Sequence, residues 1–566
     1  MSTQELYRLN ASAVAEPLVN KWPAWSHLVS PLPASLHLRH YQRPIIESFL
    51  ADPQTHAAAC SDPKLRSGPF VDLSPERAAE VRAFQAATDA RLAPNLKLAD
   101  DVVAFHNLLV AEARGQSLDS FYAELPPSLR GYVELVYDYY NRPTVRVMEG
   151  LLYESPYYHA ELQSFLLFRQ EHDDSRAFIM STPRLASASG LEWTMPFASP
   201  VADELFKLDL HPRPLGHVRE LLGLGAADEA RLRPLLTNAA RPPYSVWEGA
   251  SPRIRHLGHA CVLIEWRGTT ILTDPYIGVV PHEGGVERWS YADLPEKIDY
   301  VLITHNHHDH FCLETLLRLR HRIGCLVVPR SFGMAYGDMS LRLMSRKLGF
   351  RNVVELDVLD SLEVPGGEIV AVPFMGEHAD LPHGKTAYVV RAGDERMLFA
   401  ADSDCLDPHM YEHLRRALGD IQTVFLGMEC VGAPLSWSCG PFFPSKPDPE
   451  HERTRRYKGS DSERGMNILA AVGAQRLFIY AMGMEPWFEH LLGLAYTPDA
   501  RQLSEARRLI EGAREIGFAE AELLSGKREL HLRRLSPGSR VSYPSAATAA
   551  APPPAAGEDE EQFVFD

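Results

Sequence analysis

At 566 residues, with 45% hydrophobic and 23% charged residues, the chain has ordinary globular composition but is too long for one core, so two or three domains are expected. Its formal net charge of −17 argues against a nucleic-acid partner, whose phosphates are met by basic surface. No apolar run of about 18 residues and no basic-then-apolar leader occur, and the seven scattered cysteines form no Cys-x-x-Cys pair. Together these point to a cytoplasmic protein with reduced thiols and no membrane segment.

Residues 1–245 carry no motif tied to chemistry. Pro75–Phe84 and Ala99–Val110 have amphipathic helical periodicity, and Arg146–Glu154 reads as a strand. Tyrosines crowd positions 132, 137, 139, 140, 153, 157 and 158. Such density suits a substrate entrance or a dimer interface, although an aromatic core is the commoner fate of clustered rings. The Pro/Gly-rich stretch Asn238–Pro252 marks a domain boundary, giving a mixed, mainly helical N-terminal domain over 1–245 and a second domain over 250–535.

The second domain opens with Arg253–Glu265, which includes Gly258-His259-Ala260, and then Thr273-Asp274-Pro275 at a strand end. The most informative stretch is Tyr300-Val-Leu-Ile-Thr-His305-Asn-His307-His-Asp309-His310. Its short β-branched run predicts a buried strand, and helical periodicity resumes over Leu313–Arg320. The loop between them packs four histidines and an aspartate into six residues. Alternate side chains of extended backbone share one side, so His305 and His307 can grip one metal ion, and Asp309 and His310 can reach a second. Imidazoles and carboxylates are ligands for Zn, Fe and Mn.

Beyond this loop strands and helices alternate, as an αββα sandwich requires. The strand Glu368–Val372 leads to Gly376-Glu377-His378, where adjacent side chains face opposite ways and one of the two is expected to bind metal. The strand Arg396–Phe399 leads to Asp402, whose two oxygens can span two cations; Asp404 competes for that role, and Asp407 suits a helix cap before Pro408. Pro434–Pro444 is aromatic and long enough to border a pocket. Arg453–Lys458 with Arg464 forms a basic cluster, either a docking patch for an acidic partner or a solvated helix face. Residues 536–566, rich in Ala, Pro and acids, are expected to be disordered.

The His-x-His-x-Asp-His loop, with the Gly-His-Ala and Thr-Asp-Pro signatures, resembles the metallo-β-lactamase superfamily over about residues 250–535. By that resemblance Asp274 supports the ligand loop. The hydrolases of that fold also place a last histidine where this chain has Ala481, Met482 and Gly483, leaving Glu485 as the nearest replacement and His490 on the following helix. Gly-Glu377-His-Ala-Asp-Leu, Phe-Ala-Ala-Asp402 and the missing histidine narrow the resemblance to the di-iron β-hydroxylases of nonribosomal peptide biosynthesis, the group of the chloramphenicol-pathway enzyme.

That resemblance implies that Glu377, rather than His378, joins His305 and His307 on one iron and is central to catalysis. Asp309 and His310 would hold the other iron, and Asp402 would bridge. Three imidazoles with three carboxylates also form an oxygen-rich set that suits iron or manganese better than zinc. The implied reaction is O2-dependent hydroxylation at the β-carbon of an aminoacyl group, expected to be aromatic, held as a thioester on a synthetase carrier domain. Its expected cofactors are two iron ions, oxo- or hydroxo-bridged, with electrons from an external reductase, since no Gly-x-Gly-x-x-Gly fingerprint is present. A homodimer is expected. The alternative is a dinuclear zinc or manganese hydrolase of phosphodiesterase, N-acyl phospholipase or lactonase type.

Overall fold

The computed structural model describes residues 5–138, 140–187, 189–331, 333, 336–376, 384–494, 496–532, 541 and 543. The residues that form the expected second domain build two seven-stranded sheets. The first runs, in spatial order, Val353–Leu356, Ile323–Pro329, Ile298–Leu302, Thr269–Thr273, Cys261–Trp266, Arg253–Gly258 and Arg528–His531. The second runs Ser361–Val364, Gly367–Val372, Ala387–Ala392, Glu395–Phe399, Thr423–Leu426, Arg476–Ile479 and Glu520–Leu523.

Strand periodicity explains why they stack. On Cys261–Trp266, Val262, Ile264 and Trp266 enter the core between the sheets, whereas Cys261 and Leu263 enter the layer outside the first sheet. All six residues are buried, because both faces are covered. Across the second sheet Phe399, Phe425 and Phe478 stack in register at 4.7 and 5.1 Å, each such pair contributing about 0.5–1.5 kcal/mol beyond its buried area. The helices Pro408–Leu418, Ser462–Val472 and Arg501–Glu515 cover the outer face of the second sheet. The expected αββα sandwich is present.

The parallel register sets where chemistry can occur. Thr269–Thr273, Ile298–Leu302, Ile323–Pro329 and Val353–Leu356 are mutually parallel, as are Glu395–Phe399, Thr423–Leu426, Arg476–Ile479 and Glu520–Leu523. The carboxyl ends of the parallel strands in each sheet therefore open onto one edge, the usual place for a site in such sheets.

The N-terminal residues form helices around a four-stranded sheet, Trp22–Pro23, Ala13–Val19, Gln163–Arg169 and Leu191–Thr194. The helix Ala93–Glu112 starts with Pro94 in its first turn and buries Leu98, Val102, Phe105 and Leu109 at helical spacing. Its range contains the expected helix over Ala99–Val110, and the one expected from Pro75 runs as Ala78–Arg91 after a single 3₁₀ turn. Arg146–Glu154 is not one strand: Pro143–Val147 ends there, and Glu149–Leu152 makes a helical turn with Gly150 inside it. Several tyrosines are core members or ring pairs, such as Tyr153 with Tyr158 at 5.2 Å, while Tyr140 is 79% exposed.

The N-terminal unit does not stand apart from the metal-domain sheet. Leu9, Val14, Phe165 and Phe206 share one hydrophobic cluster with Leu263, Val301, Phe311 and Leu316. The helix Leu313–Leu319, directly after the histidine loop, is also tied to it by buried charges. Glu314 pairs with Arg176 at 2.6 Å, and Arg318 makes two 2.9 Å bonds to Asp209. Arg320, just beyond the helix, reaches Asp203 at 2.8 Å. Apart from Val541 and Tyr543, the C-terminal stretch 536–566 lies outside the described residues.

Candidate metal centre

The loop after Ile298–Leu302 turns its ring nitrogens onto one point. His305 Nε2 lies 3.0 Å from His307 Nδ1 and 3.6 Å from Asp402 Oδ2. His310 Nε2 lies 2.9 Å from the same Asp402 oxygen and 3.5 Å from Asp309 Oδ2. Asp402, which follows Glu395–Phe399 in the other sheet, thus stands between the two parts of the loop. His305, His310 and Asp402 form one buried group able to surround an ion, and His259, Asp309 and His310 form a second.

Hydrogen bonds around these groups decide which nitrogens carry protons. Asp274 accepts from the Thr304 amide and hydroxyl, each at 2.7 Å, and faces His310 Nδ1 at 2.9 Å. His310 therefore donates from Nδ1, and its Nε2 lone pair points at the acids, the usual carboxylate–histidine support of a metal ligand. The Thr304 proton is spent on Asp274, so its oxygen accepts from His305 Nδ1 at 3.0 Å, which leaves the lone pair on His305 Nε2, the nitrogen that faces His307 Nδ1. Asp274→Asn would set an amide group against donors already in place. A roughly 10–100-fold loss of metal affinity is expected, read by chelator competition.

The electrostatics favour a cation. Without a metal ion, burial works against a charge on His310, but Asp402, Asp309 and Asp274 outweigh it and hold the imidazole well above its usual range. Against burial, the His310 charge in turn holds Asp309 well below the usual carboxylate range, so a proton occupies the place a cation would take. Burial, then Asp402 and Asp309, pushes the Glu429 carboxyl well above that range, with His310 acting the other way. Several acids and lone-pair nitrogens packed this closely repel one another unless a positive ion sits among them. The donor set fits a dinuclear site of mixed nitrogen and oxygen ligands.

Glu377 and His378 lie outside the described residues. Of their flanks, Lys385 Nζ donates to the Gly376 carbonyl at 2.8 Å, and Lys385 forms a backbone bridge with His305. Asp404 is turned elsewhere, bonded to Arg464 at 2.5 Å and to the Cys405 amide at 2.8 Å, while Asp407 caps Pro408–Leu418. Glu485 does not replace the missing histidine. Its carboxylate accepts from the His259 amide at 3.1 Å and pins the turn of the first hairpin. His490 packs toward Tyr276, 6.2 Å between ring centres. The fourth histidine of the loop, His308, donates from Nε2 to the Leu491 carbonyl, 2.8 Å away, and packs against Trp25.

Three members of the site were not singled out from the sequence. Glu429 follows the strand Thr423–Leu426, and a strand-end acid beside Asp402's strand was the available signal. Tyr457 sets its ring edge-on to His307 at 5.1 Å, and Phe374 lies 5.5 Å from His305. Tyr457 belongs to the basic stretch 453–458, which is not a solvated helix face. The helical turn stops at Glu452, Arg456 bridges to Pro434, and Arg464 is held by Asp404. The Pro434–Pro444 segment lies over the same region, with Ser438 2.7 Å from the Tyr457 hydroxyl and Trp437 bonded to the Ser67 carbonyl of the N-terminal unit.

Four loop tips at this rim carry non-glycine residues at positive φ: His259 (48°), Asp274 (31°), Ala401 (48°) and Ala481 (53°). Each costs on the order of 1–3 kcal/mol and persists only where surrounding contacts over-determine it, which marks the rim as a functional region.

Residues 8–240 match the family model of the diiron non-haem β-hydroxylase N-terminal domain, and residues 253–417 match that of the β-lactamase superfamily domain. The 4-amino-L-phenylalanyl-[CmlP-peptidyl-carrier-protein] 3-hydroxylase of Streptomyces venezuelae is 35% identical over 536 residues, covering 93% of this chain and 100% of its own length. The crystal structure of CmlA, a diiron β-hydroxylase from Streptomyces venezuelae, is similar at a TM-score of 0.87 and 34% identity, over 94% of this chain and 100% of that one. A metal-dependent hydrolase of Methanopyrus kandleri is 29% identical over 160 residues, only 27% of this chain.

Proposed function

This chain belongs to the diiron β-hydroxylases, and on that premise we propose that it places one oxygen atom from O2 on the β-carbon of an aminoacyl group. The group is held as a thioester on a peptidyl carrier domain, as the name of the Streptomyces venezuelae relative states for its own substrate. In this reading His305, His307 and Glu377 hold one iron, Asp309 and His310 hold the other, and Asp402 spans both. The observation that carries it is a single buried Asp402 oxygen lying 2.9 Å from His310 Nε2 and 3.6 Å from His305 Nε2.

When bound, the two irons supply O2 activation, with electrons from an external reductase. The protein's part follows from its own residues. Asp274 and Thr304 keep the His310 and His305 lone pairs aimed inward. Burial, with Asp402 and Asp309, pushes the Glu429 carboxyl above its ordinary range, so it is the acid at this rim most inclined to hold a proton. The buried rings of Tyr457 and Phe374 pack against His307 and His305 and make the surroundings of the centre aromatic. A homodimer is part of the reading: exposed Tyr140, Met148 and Leu151 stand in and beside the hairpin Val133–Tyr137/Pro143–Val147.

The test is metal analysis with an optical spectrum, followed by turnover of an aromatic aminoacyl-carrier with reductant under ¹⁸O2. The expected result is iron in the protein and one labelled oxygen in the aminoacyl group. Stoichiometric zinc, with hydrolysis in the absence of reductant, would replace the oxygenase by a hydrolase.

A further inference from the structure

His259 meets the same acids as the ligand loop, so its geometry alone would allow it to bind metal. Its hydrogen bonds say otherwise. The backbone amide of Gly483 donates to His259 Nδ1 at 3.0 Å. A neutral imidazole carries one proton, so with Nδ1 accepting, that proton is on Nε2. Nε2 lies 3.1 Å from Asp309 Oδ2 and 3.3 Å from His310 Nε2. His310 has the opposite tautomer, with its proton on Nδ1 toward Asp274. The three residues therefore divide into two groups with lone pairs for an ion and one donor.

We propose that His259 is a positioning residue, donating from Nε2 to Asp309 Oδ2 and thereby orienting that carboxylate toward His310 Nε2, where the second iron would be held. The inference rests on the diiron reading above. The rest of the residue is fixed for this task. Glu485 accepts from its amide at 3.1 Å, its carbonyl accepts from Ala481 at 3.1 Å and faces His256 Nε2 at 2.9 Å, and its ring packs on Phe488 at 4.8 Å. These anchors hold it in a left-handed backbone conformation at φ 48°. Ala481–Gly483 is also the stretch where the fold's hydrolases carry their last histidine. Here a backbone amide takes that place and locks the tautomer of a histidine from the opposite sheet.

The test uses two variants of the metal-loaded full chain. In His259→Asn the side-chain oxygen can still accept from Gly483, so the turn is retained, but the donor at the Nε2 position is lost. In His259→Gln an amide N–H stands near the Nε2 position. With His259 as donor, His259→Asn keeps the parent's iron content, one of its two iron sites changes in the Mössbauer spectrum, and turnover falls roughly 10–100-fold. His259→Gln restores the spectrum and most of the turnover. A fall to half the parent's iron in both variants would make His259 a ligand and overturn the proposal, as would an unchanged spectrum in His259→Asn. If the parent chain holds zinc only, the diiron reading fails separately. The zinc count then decides: full content in His259→Asn supports the donor, and half overturns it.

Discussion

Asp402→Asn is expected to empty the metal centre while leaving the fold in place. Asparagine has the same shape, and the turn before it is held independently, because the Ala401 amide donates to the Tyr480 hydroxyl at 3.0 Å. What changes is the charge and one lone-pair set at the point where both halves of the loop converge. A bridging ligand serves two ions, so its loss costs more than the roughly 10–100-fold in affinity typical of a supporting partner. Iron measured after gel filtration should fall below half the parent's content, and hydroxylation should drop to background. Thermal unfolding in chelator should stay close to that of the parent. Asp404→Asn is the contrast: its carboxylate is held by Arg464 and the Cys405 amide, so iron should be retained. Full iron in Asp402→Asn would move the bridge elsewhere.

The largest effect on stability is expected at Arg318→Ala. Arg318 makes a bidentate pair with Asp209, donates to the Ala13 carbonyl at 2.9 Å, and lies 3.8 Å over the Tyr291 ring. Its removal leaves Asp209 buried, with Arg322 at 3.7 Å as the remaining partner. Breaking one side of such a pair costs about 3–5 kcal/mol. The apparent Tm should fall by roughly 5–10 °C. Because this helix continues directly from the histidine loop, metal affinity should fall with it. Retention of both the parent Tm and the parent affinity would show that the N-terminal unit does not brace the loop.

The neighbouring network sets the acid response. Burial alone would raise the Glu16 carboxyl, but Arg184 and Arg176 outweigh it and hold it at about 2. A depressed carboxyl contributes stability that is fully present above its unfolded value, about 4.3, and is lost as pH falls toward the folded value. In metal-free protein, the difference between the parent and Glu16→Gln in urea should be constant at neutral pH. It should shrink as pH drops below about 4.

How far the site was legible depended on the kind of residue. The strand Ile298–Leu302 and the helix after the loop follow from local patterns, so the positions of His305, His307, Asp309 and His310 could be placed from the sequence. Asp402 was legible because it is the first acid after an apolar strand, which ends at Phe399. Glu429 was not, since a single acid after a strand is a common event. Nor was the role of His259, because a tautomer depends on which backbone amide, more than 200 residues away, faces Nδ1. The basic stretch 453–458 looked like helix surface because charge spacing alone does not register the bridge to Pro434 or the ring of Tyr457 on His307.

The sequence by itself determined the αββα alternation, the residue types that could serve as ligands and the absence of a histidine at 481–483, because these rest on local periodicity and residue chemistry. Only the tertiary structure decided that Glu485 holds a turn, that Asp404 pairs with Arg464, and that the N-terminal unit grips the helix behind the ligand loop. Those contacts join residues far apart in the chain. Burial makes each partner's choice depend on every other group that must be satisfied in the same space.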